Sequence, residues 1–513
     1  MNKNLLRFGL VLCTSATLFS CSKNDNNDGA EISKPVEVVG QEINNTTLPE
    51  KDESGNAIPL KGTMVSGKTY HITADVSINE GDTLYIQPGV KVIMEGDGTL
   101  GNSPVFLVRG SIISDGTQED PIWFTVADEK KSKGDYDYVV EDDPAYKGYW
   151  SGFQGTPTCD LMVFRWTHIE YTGGPWGEEA GGLFGEDPED PAPSIYMNVD
   201  PSKPYGKFIF EDSWLFGSVD DCIGKMQHVH VSIMRNTLSK LGGNGGEGIN
   251  LKNDVFGDMA YNLCYGIATN GLKTAGTDGS STVVNIYNNT LVNNGFRQQK
   301  ETRNGSINTE TNAGGHIFNN IIVNSKQGLR ISYHSEKGRP SDTLNTLYNN
   351  NLTYIGNDGV DGAGNPLMIY IEPHQFTLKQ SNDLNGYVNG PIKESGEDKG
   401  TNIGENEIDV DAFNPMFVNY DAKGKAGEYL ASSIPSGADF HLQPNSPAIG
   451  AGVYAGGTGI NAIPTKSGAS LLAQYGFPMN LFPANGLDAA NITPPNKDLG
   501  AFPSDGSGNK HTY

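Results

Sequence analysis

From about residue 160 onward, the hydrophobic and polar positions of the chain repeat in one order. An apolar or aromatic residue precedes an Asn-Asn pair, a short β-branched or Leu stretch follows, and Asn and Gly close the unit. The clearest copies are residues 287–295 (YNNTLVNNG), 318–328 (FNNIIVNSKQG) and 348–356 (YNNNLTYIG), and weaker ones are residues 164–173, 210–217, 234–238 and 260–266. Each copy predicts a turn followed by a short buried strand, and no long segment has helical periodicity.

The spacing of the repeats indicates the fold class. Taken as equivalent turn positions, the polar residues are separated by 24, 26, 27, 31 and 30 residues: Asp212, Asn236, Asn262, Asn289, Asn320 and Asn350. One coil of a β-solenoid needs roughly 20–30 residues, whereas propeller blades need about 40–50. Regular hairpin turns, typical of a β-sandwich, are also lacking. The sequence therefore predicts an all-β chain folded as a right-handed parallel β-helix, with the amides stacked as an Asn ladder.

Segments on either side of the repeats carry a family resemblance. Residues 83–93, 116–125 and 148–152 resemble the opening coils of right-handed β-helix surface lipoproteins of Bacteroidota, with the pectate-lyase-like superfamily fold. Residues 439–452 and 498–502 resemble the closing segments of that group. The resemblance covers roughly residues 62–503 and implies the fold but no single activity, because lyases, hydrolases and adhesins share it. We assign residues 62–455 to the β-helix and 456–513 to an extension that packs on it or caps it.

The N-terminus has the pattern of an export signal. Lys3 and Arg7 precede an apolar run over residues 8–19, which is too short to span a bilayer as a helix. Residues 18–21 (LFSC) resemble a bacterial lipobox, in which Cys21 would be lipidated; the alternative is an ordinary signal peptide with an incidental cysteine. We therefore expect a signal peptide over residues 1–20, an acidic tether over 21–61, and an outer-membrane lipoprotein exposed at the cell surface.

The net charge and the cysteine content limit which binding partners and which cross-links the sequence favours. The formal net charge of −25 disfavours nucleic-acid binding. Besides Cys21, the mature chain has Cys159, Cys222 and Cys264, and this odd number argues against a disulfide framework. A polysaccharide is the expected partner, and the sequence leaves open whether the protein degrades it, binds it or acts as a non-catalytic adhesin.

A local basic group suggests a polysaccharide lyase. Its members are Lys273, Arg297, Lys300, Arg303, Arg330 and His334. β-Elimination from a uronic-acid polymer needs a base and a cation that stabilises the enolate. Lys273 or Lys300 would be the base, with Arg330, Arg297 or calcium as the stabiliser, while Arg303 and His334 would bind substrate. Calcium, a hard cation, would take oxygen ligands from Glu247, Asp254 and Asp358. The alternative is that these residues are solvated loop charges.

A second segment suggests a glycoside hydrolase. Residues 208–224 (FIFEDSWLFGSVDDCIG) resemble the part of polygalacturonases that carries an Asp-Asp-Cys-Ile motif, which implies Asp220 and Asp221 as acid/base carboxylates. Residues 246–249 (GEGI) stand where that family has Gly-His-Gly. The family's Asn-Thr-Asp is missing, and its Arg-Ile-Lys matches only residues 330–332 (RIS), which lie too far along the chain. An Asp-Asp pair is also common at β-helix turns.

Aromatic and acidic segments complete the candidates. Trp176 is a candidate sugar platform, because an exposed ring can stack on a sugar face, although aromatic rings of a solenoid more often pack inside. The acidic stretches over residues 135–143 and 178–190 are expected to be loop insertions without the spacing of a calcium-binding EF-hand.

Overall fold

The structure is a computed structural model that describes residues 37–132, 142–277, 279–298, 305–326, 328–331, 342, 345–354, 376–377, 413–428, 430–463 and 471–513. Residues 38–513 form one compact unit. The body is built from three long sheets, A, B and C, and each winding of the chain adds one strand to each sheet in turn. Successive windings lie on one another through parallel hydrogen-bonded pairing, about 4.8 Å apart as in any sheet.

Neighbouring strands within a sheet come from successive windings. Sheet A contains, in order of pairing, β1 (Glu42–Ile43), β3 (Gly62–Met64), β6 (Thr83–Ile86), β9 (Ser111–Asp115), β12 (Leu161–Arg165), β15 (Gly206–Glu211), β18 (Val229–Met234), β21 (Val255–Ala260), β24 (Thr282–Tyr287), β27 (Ala313–Phe318) and β30 (Thr346–Asn349). Sheet B contains β2 (Thr47–Leu48), β4 (Thr69–Ile72), β7 (Lys91–Met94), β10 (Ile122–Thr125), β13 (Thr167–Thr172), β16 (Trp214–Ser218), β19 (Thr237–Leu241), β22 (Leu263–Tyr265), β25 (Thr290–Val292), β28 (Ile321–Val323), β31 (Asn351–Tyr354) and β32 (Phe376–Thr377). Sheet C contains β5 (Val76–Ile78), β8 (Phe106–Val108), β11 (Phe153–Gly155), β14 (Ile195–Asn198), β17 (Ile223–Gln227), β20 (Ile249–Lys252), β23 (Asn270–Ala275), β26 (Gly305–Glu310) and β29 (Leu329–Ile331).

The remaining elements lie outside the stacked windings. Strand β32 pairs antiparallel with β31, and β33 (Phe417–Asn419) pairs antiparallel with β34 (Asp439–Leu442). The helices are α1 (Glu178–Phe184), α2 (Leu471–Tyr475) and the 3-10 turns Asp128–Lys130, Pro144–Tyr146, Gly424–Glu428 and Gly459–Asn461. No helix among the described residues is long and apolar enough to cross a membrane.

This architecture confirms the predicted fold class, a right-handed parallel β-helix. Its strands are short because each winding turns three corners, and the connections between parallel strands follow the handedness that twisted strands favour. Parallel pairing begins at β1, where Glu42 pairs with Thr63, so the first winding lies within the range that we assign to the tether.

The Asn ladder is present at the corner between sheets A and B. The side-chain amide of Asn236 donates to Oδ1 of Asn262 at 2.9 Å, and the same bond recurs from Asn262 to Asn289 at 2.9 Å. It continues from Asn289 to Asn320 at 2.9 Å and from Asn320 to Asn351 at 2.8 Å. All five side chains are buried. Each amide therefore ties one winding to the next where a backbone turn would otherwise leave polar groups unpaired.

Both ends of the predicted ladder column are wrong by one position. Ser213, not Asp212, precedes Asn236 in the column, because the backbone N–H of Ser213 donates to Oδ1 of Asn236 at 2.9 Å. At the other end Asn351 replaces Asn350. Asp212 and Asn350 instead occupy the turn position just before the ladder, with φ of 52° and 50°. Short polar residues suit that left-handed position as well as the ladder itself, so residue type alone does not distinguish the two.

The side chains that fill the interior differ between the early and the late windings. In the early windings it is filled by packed rings, with centroids 4.9–6.3 Å apart from neighbour to neighbour: Phe106, Phe124, Trp150, Phe153 and Phe164. Later windings stack aliphatic residues, as in the column Ile249, Leu272, Ile307 and Leu329 of sheet C. Cys159, Cys222 and Cys264 are free and buried.

The C-terminal residues lie along the outer faces of the β-helix. Phe482, Leu487 and Ala490 pack on a cluster formed by outward-facing residues of sheet A: Tyr85, Ile113, Val163 and Ile209. Arg165 fastens this segment by donating to the carbonyl oxygens of Leu487 and Ala489, at 3.2 and 2.6 Å. Strands β33 and β34 contribute to an apolar cluster with the late strands of sheet B. Much of the surface that a bare solenoid would expose is therefore covered by its own chain.

Candidate functional site

A cleft of about 680 Å³ lies on the outer side of sheet C, beside β17, β20 and β23. Its charged lining residues are Asp220, Asp221, Lys225, Glu247, Lys252 and Lys273. Four of these are residues that the sequence singles out, Asp220, Asp221, Glu247 and Lys273. The lyase and hydrolase candidates therefore meet in one place, because equivalent corners of successive windings stack on one face.

Local backbone pairing sets the carboxylates against each other. Cys222 and Ile223 turn into the core, which leaves Asp220 and Asp221 on the outer corner. The N–H of Glu247 donates to Oδ1 of Asp221 at 2.8 Å, and the N–H of Cys222 donates to the carbonyl oxygen of Glu247 at 3.0 Å.

Close approach of these two windings requires a glycine. Gly246 has φ of +102°, and a Cβ there would lie 2.5 Å from the carbonyl carbon of Asp220. A larger residue would push the winding that carries Glu247 away from the winding that carries Asp220.

The Glu247 carboxyl is the most perturbed group in the cleft. Its side chain is only 13% exposed. Burial, with the charge and hydrogen bond of Asp221, raises the pKa of Glu247 to about 7 against the opposing effect of Lys273. Asp221 is held by two donors, the N–H of Glu247 and the side-chain amide of Asn250 at 2.9 Å. The pair thus places a carboxyl that retains its proton near neutral pH next to an oriented acceptor.

Asp220 lies at the mouth of the cleft and is the most exposed of the three acids. Desolvation by the cleft walls raises the pKa of its carboxyl, and the neighbouring Glu247 raises it as well. Three carboxyls therefore converge, and their environments differ in burial and in hydrogen bonding.

Lys273 is not placed as a base. Its ammonium lies 3.1 Å from Glu247 and 3.2 Å from Glu310. Burial opposes protonation, but the two carboxylates outweigh it and raise the pKa of Lys273 above its usual value. A base must give up its proton readily, so these contacts do not support the role of Lys273 in proton abstraction, which stays a prediction.

The remaining described arginines of the basic group differ in position. Arg330 stands on the same outward column as Lys273, two windings further along, where its charge acts on Glu310. Arg297 instead donates to backbone carbonyl oxygens at 2.7–3.0 Å, those of Leu241, Gly242, Gly243 and Gly266. Its guanidinium clamps two turns together, so its predicted substrate-binding role is wrong.

The two predicted calcium ligands that the structure describes, Asp254 and Glu247, are engaged with different partners. Asp254 lies at the turn after β20, where it pairs with His228 at 2.5 Å and accepts from Tyr205 at 2.7 Å. Glu247 is engaged with Lys273 in the cleft. The described residues contain no group of three or more His, Cys, Asp or Glu side chains that could hold a metal ion.

Trp176 does not form a sugar platform. It is 2% exposed, and its ring packs on Phe184 and Tyr196 with centroid distances of 5.4 Å to each. The insertion over residues 178–190 folds back through α1 and covers the ring, which corrects the prediction of an exposed aromatic surface.

Some predicted residues fall outside the described part of the chain. They are Cys21, Lys300, Arg303, His334 and Asp358. Their proposed roles in lipidation, catalysis, substrate binding and calcium binding stay predictions.

Asn250 and Lys252 are among the cleft residues that the sequence reasoning missed. Both lie on β20, where Ile249 and Leu251 are buried in the core, so alternation turns Asn250 and Lys252 outward. That alternation is readable in the sequence once the strand is recognised. Burial, together with the charge of Lys273, lowers the pKa of Lys252.

Comparison with known proteins gives one match. A family model described as a pectate-lyase-like β-helix domain matches residues 56–140. No curated protein and no solved structure matches the chain. The matched residues form early windings, and the same sheets continue from them through β30 and β31. The chain is a right-handed parallel β-helix whose residues 56–140 are similar to a pectate-lyase-like β-helix domain.

Proposed function

We propose that the protein hydrolyses glycosidic bonds of a polysaccharide in the cleft beside sheet C. The observation that carries this proposal is the Glu247 carboxyl, buried against Asp221 with its pKa raised to about 7. Glycoside hydrolysis needs one carboxyl that keeps its proton at working pH and one that is available as a carboxylate. A cleft of about 680 Å³ is large enough to accept sugar residues.

The proposed chemistry follows from the two environments. Glu247 donates its proton to the glycosidic oxygen as the bond to the anomeric carbon breaks. Asp220, at the open mouth of the cleft, accepts a proton from the water that attacks that carbon, while Asp221, hydrogen-bonded to Glu247 and oriented by Asn250, positions the acid. The products are two shorter saccharides, one of which carries the new hydroxyl from water.

Hydrolysis is better supported than β-elimination. The lyase hypothesis needs a lysine that releases its proton, and Lys273 is paired at 3.2 Å with the Glu310 carboxylate, which raises the pKa of Lys273. Arg297, one of the predicted charge stabilisers, is bound to backbone carbonyl oxygens instead. A purely adhesive surface would have no use for a buried, proton-retaining carboxyl beside a second carboxylate.

The test is to incubate the purified protein with neutral polysaccharides and uronate polymers, while following reducing ends and the absorbance of unsaturated sugars. We expect reducing ends without that absorbance. Glu247→Gln and Asp220→Asn should each reduce the rate by about 100-fold or more. Asp82→Asn, at a partly exposed carboxylate paired with Lys61 outside the cleft, is the matched control and should keep full rate.

Other outcomes would refute the proposal in distinct ways. Unsaturated products would identify a lyase. Saccharide binding without any product would leave a recognition role. Full hydrolysis by both acid variants would remove Glu247 and Asp220 from the reaction.

We also propose that the protein is a lipoprotein of the outer membrane, anchored through Cys21 and exposed at the cell surface. The support is the export pattern of residues 1–21. A labelled fatty acid should be incorporated into the wild-type chain but not into Cys21→Ser. Equal labelling of the two would contradict the anchor.

A further inference from the structure

Strand β20 presents two polar side chains to the cleft, two residues apart on one face. Ile249 and Leu251 are fully buried in the core, so Asn250 and Lys252 project from the opposite side of the sheet. Both line the cleft that also contains Asp221 and Glu247. A ligand that reaches the two carboxylates therefore lies beside both residues.

Lys252 differs from the other lysines of the cleft in its partners. Lys225 pairs with Glu186 at 2.7 Å, and Lys273 is shared by two carboxylates. The side chain of Lys252 makes no hydrogen bond or ion pair with any residue in the described part of the chain. Its ammonium is the cleft cation whose donors remain available to a ligand.

Asn250 supplies an acceptor next to that cation. Its Nδ2 donates to Asp221 at 2.9 Å, which fixes the orientation of the amide. Asn250 is only 2% exposed, and its buried Oδ1 accepts no hydrogen bond from the described residues. A buried carbonyl oxygen without a donor is unfavourable, and a sugar hydroxyl would satisfy it.

We infer that Asn250 and Lys252 form a subsite for an acidic sugar residue. Lys252 binds the anionic substituent, a carboxylate or a sulfate ester, and Asn250 Oδ1 accepts a hydrogen bond from a hydroxyl group of the same residue. The inference rests on the proposed use of the cleft for a polysaccharide, and it names the class of polysaccharide: one that carries negative charge beside the bond to be cleaved.

Charge in the cleft agrees with this assignment. Burial disfavours the charged form of Lys252, and the Lys273 ammonium adds repulsion. An anionic substituent offsets both effects and makes a charge-assisted hydrogen bond. Asp221 and Glu247 offset part of this penalty, and a neutral sugar would offset none of the remainder.

The test measures binding by calorimetry in the Glu247→Gln background, so that the probe is not consumed. The probes are tetragalacturonate, its fully methyl-esterified form, a sulfated galactan tetrasaccharide and the unsulfated counterpart. We expect one acidic probe to bind at least about tenfold tighter than its neutral counterpart. Whether that probe carries carboxylates or sulfates identifies the substituent.

The variants separate recognition from folding. Lys252→Gln should weaken binding of that probe at least about tenfold, while Lys252→Arg should retain most of it. Lys203→Gln is the control, because Lys203 pairs with Glu80 and does not line the cleft. Equal affinity for acidic and neutral probes, no binding of any probe, or unchanged binding by Lys252→Gln would overturn the inference.

The two proposals fail differently. Hydrolysis of a neutral polymer at equal rates by wild type and Lys252→Gln would refute the acidic subsite and leave hydrolysis standing. Lys252-dependent binding of an acidic probe, with no bond cleavage by the wild-type protein, would refute hydrolysis and leave the subsite standing.

Discussion

The ladder amide Asn289 provides a quantitative test of how successive windings are held together. Its Oδ1 accepts hydrogen bonds from the backbone N–H and from Nδ2 of Asn262, both at 2.9 Å. Its own Nδ2 donates to three oxygens, those of Met259, Tyr287 and the Asn320 side chain. Asn289→Ala removes all of these bonds from a site with no access to water.

The cost follows from which groups lose every partner. The N–H of Asn262 loses its acceptor, and a buried unpaired donor costs about 1–3 kcal/mol. The other four hydrogen bonds contribute about 0.5–1.5 kcal/mol each, but they do not add fully, because Nδ2 of Asn262 still donates to the Ile233 carbonyl oxygen. We therefore expect Asn289→Ala to lower the free energy of unfolding by about 3–5 kcal/mol.

A second variant separates the acceptor from the rest of the amide. At the head of the ladder, the Ser213 hydroxyl accepts from the N–H of Thr167 at 3.0 Å. Asn289→Ser should restore such an acceptor for Asn262 and lose only about half as much stability as Asn289→Ala. Asn56→Ala, at an exposed turn, is the control and should change stability by less than about 0.5 kcal/mol.

The assay is urea unfolding followed by circular dichroism, with hydrogen exchange of the Asn262 amide as the local readout. Loss of less than about 1 kcal/mol by Asn289→Ala, or unchanged protection of the Asn262 amide, would refute the view that the ladder couples the windings.

Three further predictions concern charged groups. Activity should fall as pH rises through about 7, where Glu247 loses the proton that it must donate. Lys273→Met should move this fall in activity to higher pH, because Lys273 lowers the pKa of Glu247. An unshifted pH profile would contradict the role of Glu247 as the acid. Burial raises the pKa of Asp258 to about 7, well above that of an unfolded chain, so the native state binds more protons and loses stability as pH rises from about 4 to 7. Asp258→Asn removes this dependence, so the unfolding free energy of the variant relative to wild type should rise between pH 5 and 8. A difference that stays constant over this range would contradict the raised pKa of Asp258. Arg297→Met should lower stability by about 2–4 kcal/mol in thermal unfolding, and an unchanged midpoint would show that the carbonyl clamp is dispensable.

The fold was predictable because its signal is repeated. A single Asn-Asn pair says little, but pairs at near-constant intervals specify windings, and four of the five ladder amides follow directly: Asn236, Asn262, Asn289 and Asn320. The ends of the column were not predictable, because Ser213 is chemically a weaker candidate than Asp212. Only the backbone shows that Asp212 occupies the left-handed turn position.

The cleft was predictable in part for the same reason. Asp221, Glu247 and Lys273 were found as candidates by motif or by offset from the ladder, and stacking brings them together. Their roles depend on distances that spacing does not encode, such as the position of Lys273 between two carboxylates. Lys252 was missed because offsets from one corner do not reveal which side of a strand faces outward.

Arg297 and Trp176 show a second limit of prediction from the sequence. A sequence does not show that four carbonyl oxygens converge at a turn, so Arg297 could only be classed by its charge. Trp176 lies at the start of an insertion, and whether an insertion folds away from the body or back over it depends on contacts such as those with Phe184 and Tyr196.

The C-terminal segment on sheet A has a consequence for how the molecule comes apart. A bare solenoid contacts itself only between neighbouring windings, so it can fray one winding at a time from either end. In this chain the last residues of the polypeptide span many windings, from the cluster around Tyr85 to the side chain of Asn319. An early winding cannot unfold without detaching a segment that also contacts late windings. Unfolding should therefore be cooperative over a length that nearest-neighbour stacking alone would not give.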